Sequence, residues 1–299
     1  MKSNLVIYHQ VKPGIDCPDG IAAAWVLYQL FQDQADYQGW CYQYSELPDV
    51  SNYSKIFIVD FSFPNKVLED WASQDKSITV IDHHKTALQD LSGLSEQIRK
   101  RFDLDECGAT LTWRTFFGGS EPMPVFLKYV KDRDLWNFQF SDTEIVHEAI
   151  STMRHRLQDF GAAKTKMLFV WYDYLATLNE SELLQYLKPI GEPKITARRE
   201  KIEDIAARHT FILFQGNPDW HVPVVYLAED GSEDRFVSDV CMKLYKQFEL
   251  APFSACLTSN GSWSLRSDKF GKNTDVAAIA AAYGGGGHHN AAGFTPSEI

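Results

Sequence analysis

Apolar residues in the first half of the chain fall into short unbroken runs, separated by stretches of helical period. "NLVIYHQ" (4–10), "KIFIVDFS" (55–62) and "SITVIDHH" (77–84) are nearly continuous in hydrophobic side chains, the pattern of strands covered on both faces. "DGIAAAWVLYQLF" (19–31), "PNKVLEDWASQ" (64–74), "GATLTWRTFFG" (108–118) and "MPVFLKYVKDRDLW" (123–136) read as helices, the first opened by Asp19. Such strands joined by helices predict an α/β domain on a parallel sheet with helices on both faces. From about 141 to 209 the chain is helical and polar. Within it "ITARREKIEDIAARH" (195–209) interleaves charges that suit a solvated helix with i,i+4 ion pairs, or else a nucleic-acid contact. A second α/β block follows: strands "FILFQ" (211–215) and "VPVVYLA" (222–228), a helix around "RFVSDVCMKLYKQF" (235–248), and a hairpin in "FSACLTSNGSWSLRS" (253–267) turning at Asn260-Gly261. Pro and Gly in "KPIGEPK" (188–194) mark the boundary. The expected organisation is an N-terminal domain over 1–190, a helical linker over 191–209 and a smaller C-terminal α/β domain over 210–299.

Ligands of parallel sheets collect beyond the carboxyl ends of the strands. Here the first strand is read to end at His9, the second at Asp60 and the third at Asp82-His83-His84. Nine histidines and forty acids scattered at random would seldom place metal-capable groups at three successive strand ends. The loop after the first strand adds Asp16 and Asp19, with Asp19 also readable as a helix N-cap. "VKDRDLWNF" adds Asp132 and Asp134 around Arg133, where structural ion pairing is an equal alternative. Carboxylates and imidazoles without an obligatory thiolate suit Mn²⁺ or Mg²⁺. Such a set can hold two cations roughly 3.5–4 Å apart, bridged by a carboxylate, and deprotonate a water that attacks phosphorus. Of the adjacent histidines, one can bind metal while the other faces substrate.

The other outlier is "YGGGGHHNAAGF" (283–294), where consecutive glycines let backbone N–H groups approach an anion. Upstream, "SLRS" places Arg266 on a strand, where its guanidinium can pair with phosphate.

Composition narrows the partners. With 299 residues, 44% hydrophobic and 23% charged, the chain has the make-up of a globular protein of two ordinary domains. No apolar run approaches the roughly 18 residues of a membrane span, and the N-terminus lacks a signal-peptide pattern. Five scattered cysteines without a CxxC pair suit reduced thiols in a cytoplasm. A net charge of −11 disfavours long nucleic acids and favours a small anionic substrate. Homodimerisation is left open.

Together, "DHH" at 82–84 and "SLRS…DVAAIAAAYGGGGHHNAAGF" make the sequence resemble the DHH family of phosphoesterases over nearly its whole length. The resemblance implies a catalytic domain holding two Mn²⁺ (Mg²⁺ as the alternative) and a DHH-associated domain that binds substrate. It implies His9, an acid near 16 and Asp60 on one metal, and Asp19, Asp60, His83 and an acid of "DRD" on the other. "DLWNF" matches the family segment best at Asp134 rather than Asp132. His84 is implied at the phosphate or the attacking water, with Asp82 supporting the ligand shell. Arg266, Gly285, Gly286, Gly287 and His288 are implied at the substrate phosphate. The usual first motif has one residue between its acids, whereas "DCPDG" has two; Asp16 is taken as the ligand, with Cys17 in strict register. The implied activity is a metal-dependent phosphohydrolase acting on small nucleotides, dinucleotides or short oligonucleotides. A single-strand exonuclease, an inorganic pyrophosphatase and a degraded, binding-only member are the other readings.

Overall fold

The structure, a computed structural model, describes residues 3–41, 46–91, 93–95, 97–118, 121–268 and 271–296. Its chain divides into two compact units, Met1–Ile195 and Thr196–Ile299.

The first unit contains strands β1 (Asn4–Lys12), β2 (Ile15–Asp16), β3 (Ala35–Trp40), β4 (Lys55–Val59), β5 (Ser77–Asp82) and β6 (Ile98–Phe102). Its helices are α1 (Pro18–Phe31), α2 (Asn65–Ser73), α3 (Lys85–Asp90), α4 (Gly108–Phe116), α5 (Val125–Asp134), α6 (Thr143–Arg156) and α7 (Lys164–Ala176), followed by α8 (Glu180–Ala206). Strands β3, β1, β4, β5 and β6 lie side by side in that order, and every one of those pairings is parallel. Because successive strand side chains point to opposite faces, Val6 and Tyr8 enter one core with α1, α4, α5 and α7, while Leu5 and Ile7 enter another with α2. Continuous apolar strands therefore follow from a sheet buried on both faces, as the sequence pattern implies.

Several boundaries differ from the sequence reading. Strand β1 does not stop at His9: its parallel ladder with β3 ends at His9↔Trp40, and the chain continues into a short antiparallel pairing with β2. Strand β4 stops at Val59, and Asp60 follows with φ +65°. Strand β5 stops at Asp82, leaving His83 and His84 in the turn before α3. "KPIGEPK" does not interrupt the chain but lies inside α8, which contains Pro189 and Pro193. Gly191 serves close packing there, since a Cβ would sit 2.2 Å from the Ile145 carbonyl oxygen on α6.

The second unit has one sheet in the order β11-β12-β10-β9-β8-β7, comprising β7 (Thr210–Leu213), β8 (His221–Tyr226), β9 (Ser254–Leu257), β10 (Trp263–Arg266), β11 (Gly286–His288) and β12 (Ala291–Phe294). Only β8 and β9 pair in parallel. Helix α10 (Val276–Ala282) belongs to the core on one face, and α9 (Val237–Gln247) with Ile205 and Ala206 belongs to the core on the other.

Candidate metal centre

Three strand ends of the first unit and the start of α1 deliver the polar cluster. Beyond His9 the β1–β2 hairpin returns the chain so that Cys17 N–H donates to the His9 carbonyl at 3.1 Å, and Cys17 becomes the N-cap of α1. That close return requires Gly20, where a Cβ would lie 2.7 Å from the His9 carbonyl oxygen. Asp60 takes the left-handed conformation as β4 ends, a region costly for most residues and better tolerated by Asp. Its backbone N–H donates to Ile81 at 3.0 Å, which holds it against β5.

Asp60 is 1% exposed, and its two carboxylate oxygens are divided between histidines. Oδ2 lies 3.3 Å from His9 Nδ1, and Oδ1 lies 3.2 Å from His83 Nε2. The same His83 Nε2 is 3.5 Å from Asp134 Oδ2 and 3.8 Å from Asp19 Oδ2. Ligand-type atoms cluster within 4.8 Å of one another in three sets: His9, Cys17 and Asp60; Asp19, His83 and Asp134; and Asp60, His83 and His84. Asp60 belongs to the first and third sets, and His83 to the second and third. Both His9 Nδ1 and Asp60 Oδ2 are inaccessible to solvent and make no hydrogen bond. Buried groups of this kind, held against one another away from solvent, fit a site that binds divalent cations, because they otherwise forfeit their solvation.

Electrostatics agree with a site built for positive charge. Burial and the carboxylates of Asp60 and Asp134 push Asp19 well above the usual carboxylate range. Burial likewise raises Asp134, against the opposing effect of His83. At Asp60 burial works in the same direction, but His83 and His9 outweigh it and hold the group well below that range. Burial disfavours the His83 imidazolium, yet Asp60, Asp134 and Asp19 raise it to about 10. Protons on histidine thus offset carboxylate charge that cations would otherwise neutralise.

The remaining sequence candidates sort by what they touch. Asp19 does not cap its own helix; its carboxylate accepts from Gly108 N–H at 2.5 Å and Ala109 N–H at 2.8 Å, at the start of α4. A helix N-terminus stabilises that negative charge. Gly108 is needed for the approach, as a Cβ would sit 2.7 Å from Asp60 Cβ. Asp82 Oδ1 accepts from His83 N–H at 2.7 Å and faces His84 Nδ1 at 2.7 Å, which orients the second imidazole. Burial opposes a proton on His84, but Asp82 prevails and raises its pKa. Asp132 lies apart from the cluster and accepts from Gln139 N–H, Phe140 N–H and the Thr143 hydroxyl before α6.

Asp16 is not brought into the cluster. It is fully buried, accepts from Gln10 Nε2 at 2.6 Å and the Tyr8 hydroxyl at 3.2 Å, and pairs with Lys164 at 3.2 Å. Reversal through β2 points Asp16 back against β1 and leaves Cys17 beside His9 and Asp60. Lys164, some 150 residues away in sequence, carried no signal of this pairing. Next to the cluster, a cavity of about 480 Å³ is lined by His9, Asp60, Asp82 and His84 together with Trp40 and Phe61, whose rings stack at 5.3 Å.

In the second unit the glycines are not a loose loop. Gly284 has φ +78° after α10, and Gly286 to His288 form β11 against β12. Gly285 and Gly287 are required by packing, with a Cβ falling 2.1 Å from Gly293 O and 2.6 Å from Ala291 O respectively. At Gly286 nothing lies within 4 Å of that position. His288 and Arg266 share the register row through Ala291 and so project from the same face. The Arg266 guanidinium donates to the Ser238 hydroxyl at 2.7 Å and the Ser264 hydroxyl at 3.1 Å, while its Nε is inaccessible and unpartnered.

Comparison with known proteins places this architecture. A crystal structure of RecJ in complex with Mn²⁺, from Thermus thermophilus, superposes with a TM-score of 0.50 at 14% identity, covering 98% of this chain and 49% of that one. At that identity the likeness is one of fold, which the present chain shares. A pGpG-specific phosphodiesterase, PggH from Vibrio cholerae, is similar at a TM-score of 0.46 and 14% identity, over 98% of this chain and 92% of that one. In sequence the chain is 27% identical over 318 residues to an uncharacterized protein of Acanthamoeba polyphaga mimivirus, covering 99% of this chain and 68% of the viral one. No family model matches the chain. Among the described residues no helix is long and apolar enough to cross a membrane.

Proposed function

We propose that this chain is a divalent-metal-dependent phosphohydrolase that cleaves P–O bonds in small nucleotides, dinucleotides or short oligonucleotides. The observation that carries the reading is Asp60, buried, with one oxygen beside His9 and the other beside His83, as a bridging carboxylate would be. In this reading His9 and Asp60 belong to one cation, and Asp19, Asp60, His83 and Asp134 to the other. Mn²⁺ or Mg²⁺ at the oxygen-rich position would supply Lewis-acid charge to the phosphoryl group and lower the pKa of a water.

The protein's own groups do the rest. Asp82 orients His84 through Nδ1, and His84 is assigned to a phosphoryl oxygen or the attacking water. The 480 Å³ cavity with its Trp40 and Phe61 lining is within the size range of small-ligand sites and offers rings to a nucleobase. Arg266, His288 and the backbone of Gly285, Gly286 and Gly287 are assigned to a substrate phosphate in the second unit. The open space at Gly286 favours that assignment. Net charge of −11 favours short substrates over long ones and is compatible with a cytoplasmic nucleotide hydrolase.

Incubation of the purified protein with Mn²⁺ and a panel of dinucleotides, cyclic dinucleotides, 3′,5′-bisphosphates, short oligonucleotides and bis-p-nitrophenyl phosphate tests the proposal. Metal-dependent release of phosphate or mononucleotide is expected. Metal binding without turnover on any member of the panel would leave a binding protein instead.

A further inference from the structure

The acid expected at the first cation is replaced in space by a thiol. Cys17 Sγ, an imidazole nitrogen of His9 and a carboxylate oxygen of Asp60 lie within 4.8 Å of one another, near enough for small rotations to bring them to the roughly 3.5 Å ligand spacing of a tetrahedral site. Asp16, the neighbouring carboxylate, is committed to Lys164, Gln10 and Tyr8. Cys17 also stands at an N-cap, where Ser, Thr, Asp or Asn would serve the helix better, and its side chain makes no capping hydrogen bond. The second observation that points to a ligand is independent of the sulfur: Asp60 is almost fully buried, and its inaccessible Oδ2 faces the inaccessible His9 Nδ1 at 3.3 Å as an ion-pair contact without a well-formed hydrogen bond.

We propose that the first cation position is a nitrogen–sulfur–oxygen site, His9–Cys17–Asp60, that selects a borderline transition-metal ion of the Zn²⁺, Fe²⁺ or Co²⁺ class. The second position, Asp19, Asp60, His83 and Asp134, is one nitrogen and three carboxylates and keeps the preference for Mn²⁺ or Mg²⁺. The chain therefore carries a chemically asymmetric centre in which the two ions are not interchangeable. Thiolate selects softer cations, whereas carboxylate suits hard ones. On binding, the Cys17 S–H bond is exchanged for a sulfur–metal bond and the proton leaves to solvent. The inference rests on the reading of this cluster as a two-cation centre.

Co²⁺ titration of the full chain, followed by near-ultraviolet absorption and by equilibrium dialysis, tests it. A thiolate-to-cobalt charge-transfer band that saturates with one of two bound ions is expected. Cys17→Ser and Cys17→Asp should abolish the band, with circular dichroism confirming the fold, and Cys17→Asp should lower the Zn²⁺-over-Mn²⁺ binding preference by roughly tenfold or more. As a check that needs no variant, X-ray absorption of the singly Zn²⁺-loaded protein should show one sulfur at about 2.3 Å. Two Co²⁺ bound without the band, or a band that survives Cys17→Ser because Cys41 or Cys107 supplies it, overturns the proposal and leaves the two-cation reading standing. No binding of Co²⁺, Zn²⁺ or Mn²⁺ overturns both.

Discussion

At the end of β4 the backbone of Asp60 turns into the left-handed region, and its two oxygens then face different histidines. One residue earlier or later, strand alternation would send the carboxylate into a core. His9, Asp60, His83 and Asp134 were legible as candidates because strand ends and a "DRD" segment single them out in the sequence. The choice between Asp16 and Cys17 was not legible, because it depends on a two-residue strand that turns Asp16 back toward Lys164. This gives Asp16 a structural role that can be measured. Lys164→Ala strands a buried carboxylate and should destabilise the protein by about 2–4 kcal/mol in urea unfolding, with the number of bound divalent ions unchanged. Loss of a bound ion in that variant would return Asp16 to the metal centre.

In the parallel sheet of the first unit, the strands read from sequence are the inner ones, β1, β4 and β5, and those missed are the edges, β3 and β6. Edges carry polar side chains that disguise them: β6 reads "IRKRF", with Arg99, Lys100 and Arg101 exposed. Pro189, Gly191 and Pro193 look like a domain boundary in sequence, whereas they lie inside α8 and Gly191 packs directly on the α6 backbone. Helix α4 matters to function through its first residue. Alanine at Gly108 would favour the helix by up to about 1 kcal/mol on propensity alone, yet its Cβ would press on Asp60 and Asp19. Gly108→Ala should therefore weaken divalent-ion binding by about tenfold or more while melting within a few degrees of wild type. Unaltered metal affinity would separate α4 from the site.

In the second unit, Glu233 accepts from Arg208 and from Ala228 N–H at 3.1 Å and pairs with Lys201 at 3.2 Å. Burial opposes its ionisation, but Arg208 and Lys201 win and depress its pKa. A depressed carboxylate contributes stability in full above its unfolded pKa of roughly 4.3 and loses it as pH falls through the folded value. Glu233→Gln should accordingly cost about 1–3 kcal/mol at neutral pH, read by hydrogen exchange in β8 and α9. That difference should close toward pH 3; one that grows in acid would contradict the sign.

On the scale of the molecule, fold class and the run of helices between two α/β blocks were legible because each depends on period and composition. The pairing of Asp16 with Lys164 was not, since it depends on a contact that periodicity does not encode. Net charge of −11 adds a constraint: phosphate-rich chains are repelled outside any local cradle, so hydrolysis per end should fall with oligonucleotide length. Comparing a dinucleotide with a 20-mer in a common assay checks this, and a preference for the 20-mer would favour the exonuclease reading. The most direct test of the central claim is to count divalent ions and turnover in wild type and Asp60→Asn together. Two bound ions and metal-dependent phosphoester cleavage are predicted for wild type, with both positions weakened and the rate lowered by about a thousandfold in the variant. A variant that keeps its ions and its rate would contradict the bridging role on which the account depends.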